Sequence, residues 1–210
     1  MSTVPASESP EARTRRGPGR PPGGPLNTRA ALLDAGRELF ATQGYATATA
    51  RDIVERAGCT APVLYHHFGN KAGLFAAVVK DVNDLILGHF AEAIEGKRTL
   101  LERIEAILDE SVRMYDVAPS VGRFVVAAPL ELARHPELRI AAGEMLRLGQ
   151  FIEQMCADGA GVQVEPHRVE YIVQTLIYGL SRMAASPRPV EYVHAVDALK
   201  TLLRGQVFTQ

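Results

Sequence analysis

Apolar residues beyond position 25 recur every three or four positions, and nowhere do apolar and polar residues alternate over the length of a strand. This pattern predicts an all-α protein of roughly nine helices. In the first helix, for example, Leu32, Leu39 and Phe40 share one face. The predicted helical segments are 28–43, 49–58, 60–67, 71–95, 99–117, a shorter piece between Pro119 and Pro129, 137–157, 166–185 and 190–204.

The first three helices are short, and turn residues separate them. Gly44, Gly58 and Gly69 suit the left-handed conformation that ends a helix, whereas Thr49 and Thr60 suit the cap that begins one. The second and third helices are therefore joined by a tight turn, which predicts a helix-turn-helix. In such a motif one helix crosses the phosphate backbone, and the next places its N-terminal end in the major groove of DNA.

The distribution of charge agrees with a nucleic-acid-binding front end. The chain has 210 residues, is 47% hydrophobic and carries a formal net charge of −1, so disorder throughout is excluded. Residues 1–80 contain ten Lys/Arg and six Asp/Glu, whereas residues 81–210 contain the other thirteen basic and eighteen acidic residues. A basic head on an acidic body is typical of a DNA-binding protein with a separate second domain.

Residues 1–25 contain six prolines and four glycines, and we expect them to form a disordered basic tail. The tail segment 17–22 resembles part of an AT-hook, and we favour a loosely bound basic arm there. The start of the chain lacks the apolar core of a secretory signal, and no apolar run approaches about 20 residues. We therefore expect a cytoplasmic protein with no membrane association.

Segment 44–74 carries the most specific motif, and it resembles the tetracycline-repressor (TetR) family of bacterial transcription regulators over residues 28–80. The matching residues are Gly44, Tyr45, Thr49, Ile53, Ala57, Gly58, Thr60, Leu64, Tyr65, His67, Phe68, Lys71 and Leu74. The resemblance implies a helix-turn-helix DNA-binding domain over 26–72 and a helical-bundle ligand-binding and dimerisation domain over 73–210. It further implies a homodimer that binds a partly palindromic double-stranded DNA operator and releases it when a small molecule enters the second domain.

The predicted DNA-binding residues fall into two groups. Those expected to contact phosphate are Thr49, Thr60, Tyr65, His66 and Lys71. Those expected to contact bases are Arg51, Ala61, Pro62 and Val63. Arg51 alone among these four could bind guanine through two hydrogen bonds, because the other three have no side-chain donor and are limited to shape and thymine methyl groups. Two positions depart from the family pattern: Val63 replaces a small or hydroxyl-bearing residue, and Ala72 with Gly73 replaces a charged pair.

The second domain offers candidate ligand-binding residues, which ordinary core packing would explain equally well. They are Tyr115, Phe124, Phe151, Gln174 and Tyr178. We expect dimerisation through helices 166–185 and 190–204, because these helices carry more apolar surface than one bundle face requires. Thr175 and Gly179 would permit close approach of a partner helix.

The sequence thus predicts a sequence-specific DNA-binding regulator, a repressor released from its operator by a small-molecule effector. The alternative is a dimeric small-molecule-binding or interaction protein that no longer reads DNA, since Ala61, Pro62 and Val63 lack donors. We expect no enzyme, because residues 81–210 show no spacing of nucleophile, base or metal ligands. We also expect no cofactor and no metal site; Cys59 and Cys156 are too few for a disulfide framework or a multi-cysteine metal site.

Overall fold

The structure, a computed structural model, describes residues 25–157, 166–185 and 189–205. In these ranges the chain forms nine α-helices and one 3₁₀ turn and has no β-strand, which confirms the all-α prediction. The predicted tail and the predicted break at 159–161 lie outside the described residues, apart from Pro25, which begins the first helix. The elements are α1 (Pro25–Gln43), α2 (Ala50–Arg56), α3 (Ala61–Phe68), α4 (Lys71–Ile94), α5 (Leu100–Val117), α6 (Pro119–Arg134), the 3₁₀ turn (Pro136–Ala141), α7 (Ala142–Ala157), α8 (Pro166–Ala184) and α9 (Pro189–Leu203).

The ends of the first helices follow the turn chemistry of the sequence. Gly44, Gly58 and Gly69 have φ values of 80°, 65° and 74°, the left-handed conformation that side chains with a Cβ rarely adopt. Thr49 and Thr60 occupy the N-cap positions of α2 and α3 in extended backbone conformation. The predicted helix-turn-helix geometry therefore forms where expected.

The prediction that Pro129 ends a short helix is wrong, because Pro129 lies inside α6. A proline within a helix removes one backbone hydrogen bond and costs about 3 kcal/mol. Here Phe124 and Ala128 before the proline and Glu131 after it are all buried. Burial on both sides of Pro129 outweighs that loss, so the helix continues to Arg134.

The predicted helix 137–157 is also divided in the structure. Its first part is the 3₁₀ turn, and α7 begins only at Ala142. Leu138 and Ala141 are both fully buried. Residues three apart stand directly above one another in a 3₁₀ helix, so this spacing allows both side chains to face the core.

A cluster of aromatic rings joins the helix-turn-helix to the rest of the chain. The Phe75 ring centroid lies 5.2 Å from that of Phe40, 5.6 Å from that of Tyr45 and 5.6 Å from that of Phe124. These rings come from α1, the turn after it, α4 and α6, and all four side chains are buried. A movement of α6 would therefore displace the rings that pack against α1 and the turn after it.

α4 is one continuous helix of 24 residues that leads from the helix-turn-helix into the bundle. The predicted boundary between domains 26–72 and 73–210 falls in its first turn, and this division stays a prediction. No helix in the described ranges combines the length and the apolar character that crossing a membrane requires.

Candidate nucleic-acid interface and ligand cavity

A capping box between Thr49 and Asp52 holds the N-terminus of α2. The backbone N–H of Asp52 donates to Thr49 Oγ1, and the backbone N–H of Thr49 donates to Asp52 Oδ2, both at 3.2 Å. The Thr49 hydroxyl also donates to Asp52 Oδ2 at 2.6 Å. The hydrogen bond from the Thr49 hydroxyl is the largest cause that holds the pKa of Asp52 below its usual value. The hydrogen bond from the Thr49 backbone is the next largest. Because the hydroxyl proton of Thr49 is used within the cap, the side chain has no free donor for the phosphate contact predicted from the sequence.

Thr60 caps α3 in a different way. Its side chain makes no capping hydrogen bond and is exposed, while its backbone carbonyl accepts from the N–H of Val63 at 3.0 Å. The hydroxyl of Thr60 therefore stands beside the N-terminus of α3 with its donor available. An anion at this position would also be favoured by the positive end of the helix dipole.

The first turn of α3 lies at the surface of the protein. Pro62 is exposed, and Ala61 and Val63 are half-buried. Leu64, which follows them, is fully buried and anchors the helix to the core. The three residues predicted to face bases therefore form an accessible tip on an immobilised helix.

Three further side chains from the predicted set are exposed on α2 and α3. Tyr65 is 49% exposed, and His66 beside it is exposed as well. Arg51 is exposed in the first turn of α2 and makes no ion pair or hydrogen bond within the described part of the chain. An exposed guanidinium in the first turn of α2 is suited to contact DNA.

Lys71 makes contacts within the protein, and its predicted phosphate contact stays a prediction. Its Nζ donates to the carbonyl oxygens of Tyr45 at 2.7 Å and Ala48 at 3.1 Å, and it lies 4.3 Å from the centre of the Tyr45 ring. Burial lowers the pKa of Lys71, and the carboxylates of Glu137 and Glu131 oppose that shift. Two of the three N–H donors of Lys71 thus fasten the turn between α1 and α2 to the start of α4.

A second group of side chains, from α6 and the residue that follows it, also contacts this turn. The sequence alone did not indicate this group. Glu131 of α6 accepts a hydrogen bond from the backbone N–H of Tyr45 at 3.2 Å. It also lies 3.3 Å from Nε2 of His135, whose ring centre is 5.1 Å from that of Tyr45. These partners are 86 residues apart in the chain, so no local sequence signal could have brought them together.

The unusual Gly73 has a structural reason. The backbone N–H of Gly73 donates to Oδ1 of Asn70, the N-cap of α4, at 2.8 Å. A Cβ on Gly73 would lie only 2.0 Å from the carbonyl oxygen of Phe68 at the end of α3. Glycine therefore allows the close approach that sets α3 relative to α4.

The bundle contains a cavity of about 270 Å³ between α4, α6, α7 and α8. Three of the predicted ligand-binding residues, Phe124, Gln174 and Tyr178, line it. Phe124 is fully buried, whereas Tyr178 is 70% exposed, so the cavity runs from the core to the surface of α8.

The other two predicted ligand-binding residues lie elsewhere. Tyr115 lines a smaller cavity of about 80 Å³, which adjoins the first because both share Val125 and Ser181. Phe151 lines neither of these two cavities, and its ligand contact stays a prediction: its ring packs against that of Phe90, with 6.4 Å between centres. Phe151 therefore serves the contact between α4 and α7.

The outer surfaces of α8 and α9 are rich in exposed apolar side chains. Those on α8 also flank Thr175 and Gly179, which are exposed as well. The large exposed apolar residues of the two helices are Tyr171, Ile172, Tyr178, Met183, Val190, Val193 and Leu202. Several large exposed apolar side chains on two neighbouring helices are typical of a contact with another protein.

Known proteins share both the motif and the fold. Residues 32–78 match the family described as bacterial regulatory proteins, tetR family. The HTH-type transcriptional regulator UidR of Escherichia coli (strain K12) is 26% identical over 132 residues, which is 62% of this chain and 65% of UidR. The HTH-type transcriptional repressor KstR2 of Mycolicibacterium smegmatis is 30% identical over 86 residues, which is 41% of this chain and 42% of KstR2. The match thus spans less than two thirds of the length of these relatives.

The likeness in fold extends over most of the chain. The crystal structure of the transcriptional regulator FadR from Bacillus subtilis in complex with stearoyl-CoA superimposes with a TM-score of 0.67 at 15% identity, covering 85% of this chain and 99% of FadR. A sequence identity this low establishes a shared fold and nothing finer. The chain thus carries, over residues 32–78, a segment that matches the bacterial regulatory proteins of the tetR family, and it shares the fold of a solved transcriptional regulator over most of its length.

Proposed function

We propose that the protein is a sequence-specific DNA-binding transcription regulator. The observation that carries the proposal is the accessible first turn of α3, with a free Thr60 hydroxyl at its N-terminus, together with the exposed Arg51 in the first turn of α2. Arg51 supplies the donors for a guanine edge, while Thr60, Tyr65 and His66 supply donors for phosphates on either side. The tip itself reads shape and thymine methyl groups, because it has no side-chain donor.

The protein acts as a homodimer in this proposal. The exposed apolar side chains on α8 and α9 support a self-complementary interface, in which the same surface of both copies meets. Thr175 and Gly179 let two α8 helices approach closely. Such a dimer would place two α3 tips about 34–36 Å apart, one turn of DNA, and would select a partly palindromic operator.

The proposed mode of action is repression relieved by a small-molecule effector that binds in the bundle, residues 73–210. The cavity between α4, α6, α7 and α8 supports this mode, because it reaches from the core to the surface. The relative KstR2 is a repressor, and the structure of FadR was determined with stearoyl-CoA. α6 lines this cavity and also contacts the turn that begins the helix-turn-helix.

Selection of bound sequences from a random DNA pool tests the proposal. At about 0.15 M salt we expect enrichment of a motif with two inverted half-sites about 10 base pairs apart. The double variant Arg51→Ala/Tyr65→Ala should lose the enrichment, whereas Arg98→Ala, an exposed arginine between α4 and α5, should keep it. If the unaltered protein binds the selected sequences no better than random DNA, the proposal is wrong.

A further inference from the structure

We infer that the effector is a neutral, mostly apolar molecule that donates a hydrogen bond to Asn83. The inference rests on the proposed function only in calling the occupant of the cavity an effector. The cavity of about 270 Å³ is far larger than the roughly 10–15 Å³ that one water needs, and it is near the lower end of small-molecule pockets at about 300–1,000 Å³. Its occupant is therefore a compact organic molecule.

The cavity offers no partner for a charged ligand. No Lys, Arg, His, Asp or Glu side chain lines it in the described part of the chain. Charged residues of α4 and α7 bind one another: Arg147 of α7 donates to Asp84 of α4 at 2.6 Å and to Glu144 of α7 at 2.9 Å. A carboxylate or ammonium group placed in this cavity would lose its hydration without gaining a counterion. The lining therefore selects a neutral molecule.

Asn83 supplies the polar contact on the α4 wall. It is buried, and its Nδ2 donates to the backbone carbonyl of Glu144. Because a carbonyl can only accept, this bond fixes the orientation of the amide and leaves Oδ1 as the acceptor. No group in the described ranges donates to that oxygen. In a mostly apolar cavity, an acceptor that no protein group satisfies favours a ligand that brings a donor.

α6 contributes a second feature that favours a ligand with a hydrogen-bond donor. Pro129 lines the cavity and has no N–H, so it cannot donate to the carbonyl of Val125, one turn earlier on the same wall. Ser181 on α8 carries a hydroxyl that can donate or accept. A hydroxyl group on the ligand can satisfy each of these contacts, whereas an ether or ester oxygen can only accept from Ser181.

Three probes of equal chain length separate these properties: 1-decanol, decanoate and decyl methyl ether. Calorimetric titration of the full chain at neutral pH should give the tightest binding for 1-decanol. The ether should bind about two- to tenfold more weakly, because it lacks a donor. Decanoate should bind at least about tenfold more weakly, because its charge must be desolvated. Equal or tighter binding of decanoate, or no binding of 1-decanol up to its solubility, overturns the inference.

Two glycines of α7 provide a matched pair of variants. A Cβ would meet nothing within 4 Å at either Gly149, which lines the cavity, or Gly143, which does not. Gly149→Leu should therefore abolish binding of 1-decanol, whereas Gly143→Leu should leave it unchanged. In Asn83→Leu the preference for the alcohol over the ether should become smaller, because one of the acceptors that the alcohol can satisfy and the ether cannot is removed. Unchanged binding in Gly149→Leu would overturn the location of the site.

These results are distinguishable from a failure of the proposed function. A protein that binds 1-decanol with the expected preference but selects no operator contradicts the proposed function and supports the ligand class. A protein that selects an operator but prefers decanoate overturns the ligand class alone. Both readouts use the same full chain.

Discussion

Glu131 lies directly against Gly44, with Oε1 only 3.1 Å from the position that a Cβ on Gly44 would occupy. Gly44 has a φ of 80°, so glycine is favoured there both by the backbone conformation and by the neighbouring carboxylate. Glu131 Oε2 meanwhile holds the backbone N–H of Tyr45. Glu131 of α6 thus supports the turn from which the helix-turn-helix begins. It lies two residues after Pro129, which lines the cavity.

Replacing Glu131 should therefore destabilise the protein. Glu131→Ala leaves the buried N–H of Tyr45 without its acceptor and removes a carboxylate near Lys71, and we expect a loss of about 1–3 kcal/mol in the free energy of unfolding. Urea denaturation measures this loss. Glu137→Ala is the matched control, since Glu137 is half exposed and lies 3.9 Å from His135, and it should cost less than about 1 kcal/mol. Equal losses in the two variants would contradict the role of Glu131.

Lys71 should contribute to the stability of the fold and should not contact a DNA phosphate. Lys71→Met leaves the carbonyls of Tyr45 and Ala48 without their donor, and we expect about 1–3 kcal/mol of destabilisation. Lys80→Met, also on α4, removes only an exposed pair with Asp84 and should cost less than about 1 kcal/mol. The salt dependence of DNA binding separates the two roles of Lys71. Its slope should stay unchanged in Lys71→Met, whereas a slope smaller by about one would identify a phosphate contact.

Features fixed by local chemistry could be predicted from the sequence. Gly44, Gly58 and Gly69 end their helices because the left-handed conformation is a property of the residue itself. Thr49 with Asp52 caps α2 because the two groups are three residues apart. The continuous α6 could not be predicted, because burial of residues around Pro129 comes from distant helices.

In the candidate nucleic-acid interface, too, some features follow from the local sequence and others depend on distant residues. The exposure of Pro62 and Tyr65 follows from the amphipathic pattern of α3, whose apolar side is anchored by Leu64. The inward direction of Lys71 does not follow, since its acceptors are carbonyls 23 and 26 residues away. A lysine at the start of a helix could contact a DNA phosphate or donate hydrogen bonds to the carbonyls of a nearby turn. Only the tertiary structure distinguishes these two roles.

Gly73 should tolerate no side chain. In Gly73→Ala the new Cβ would lie 2.0 Å from the Phe68 carbonyl, so α3 and α4 would have to separate, and we expect a loss of about 1–3 kcal/mol or more. Gly88→Ala is the control on the same helix, because a Cβ there meets nothing within 4 Å. It should raise stability by up to about 1 kcal/mol through helix propensity. Urea denaturation of both variants measures the difference, and two changes of the same sign would argue against the close contact.

Arg51 should account for most of the base discrimination. Arg51→Ala should weaken binding to the selected operator by about 1–3 kcal/mol and remove the preference at one base pair of each half-site, because Ala61, Pro62 and Val63 have no side-chain donor. Arg51→Lys should restore phosphate attraction but not the preference, since an ammonium lacks the planar pair of donors. Arg56→Ala, an exposed arginine at the end of α2, is the control. Affinities for the operator and for its single-base-pair variants, at one salt concentration, measure both effects. A uniform loss across all these sequences would make Arg51 a phosphate contact and leave the operator to be selected by DNA shape.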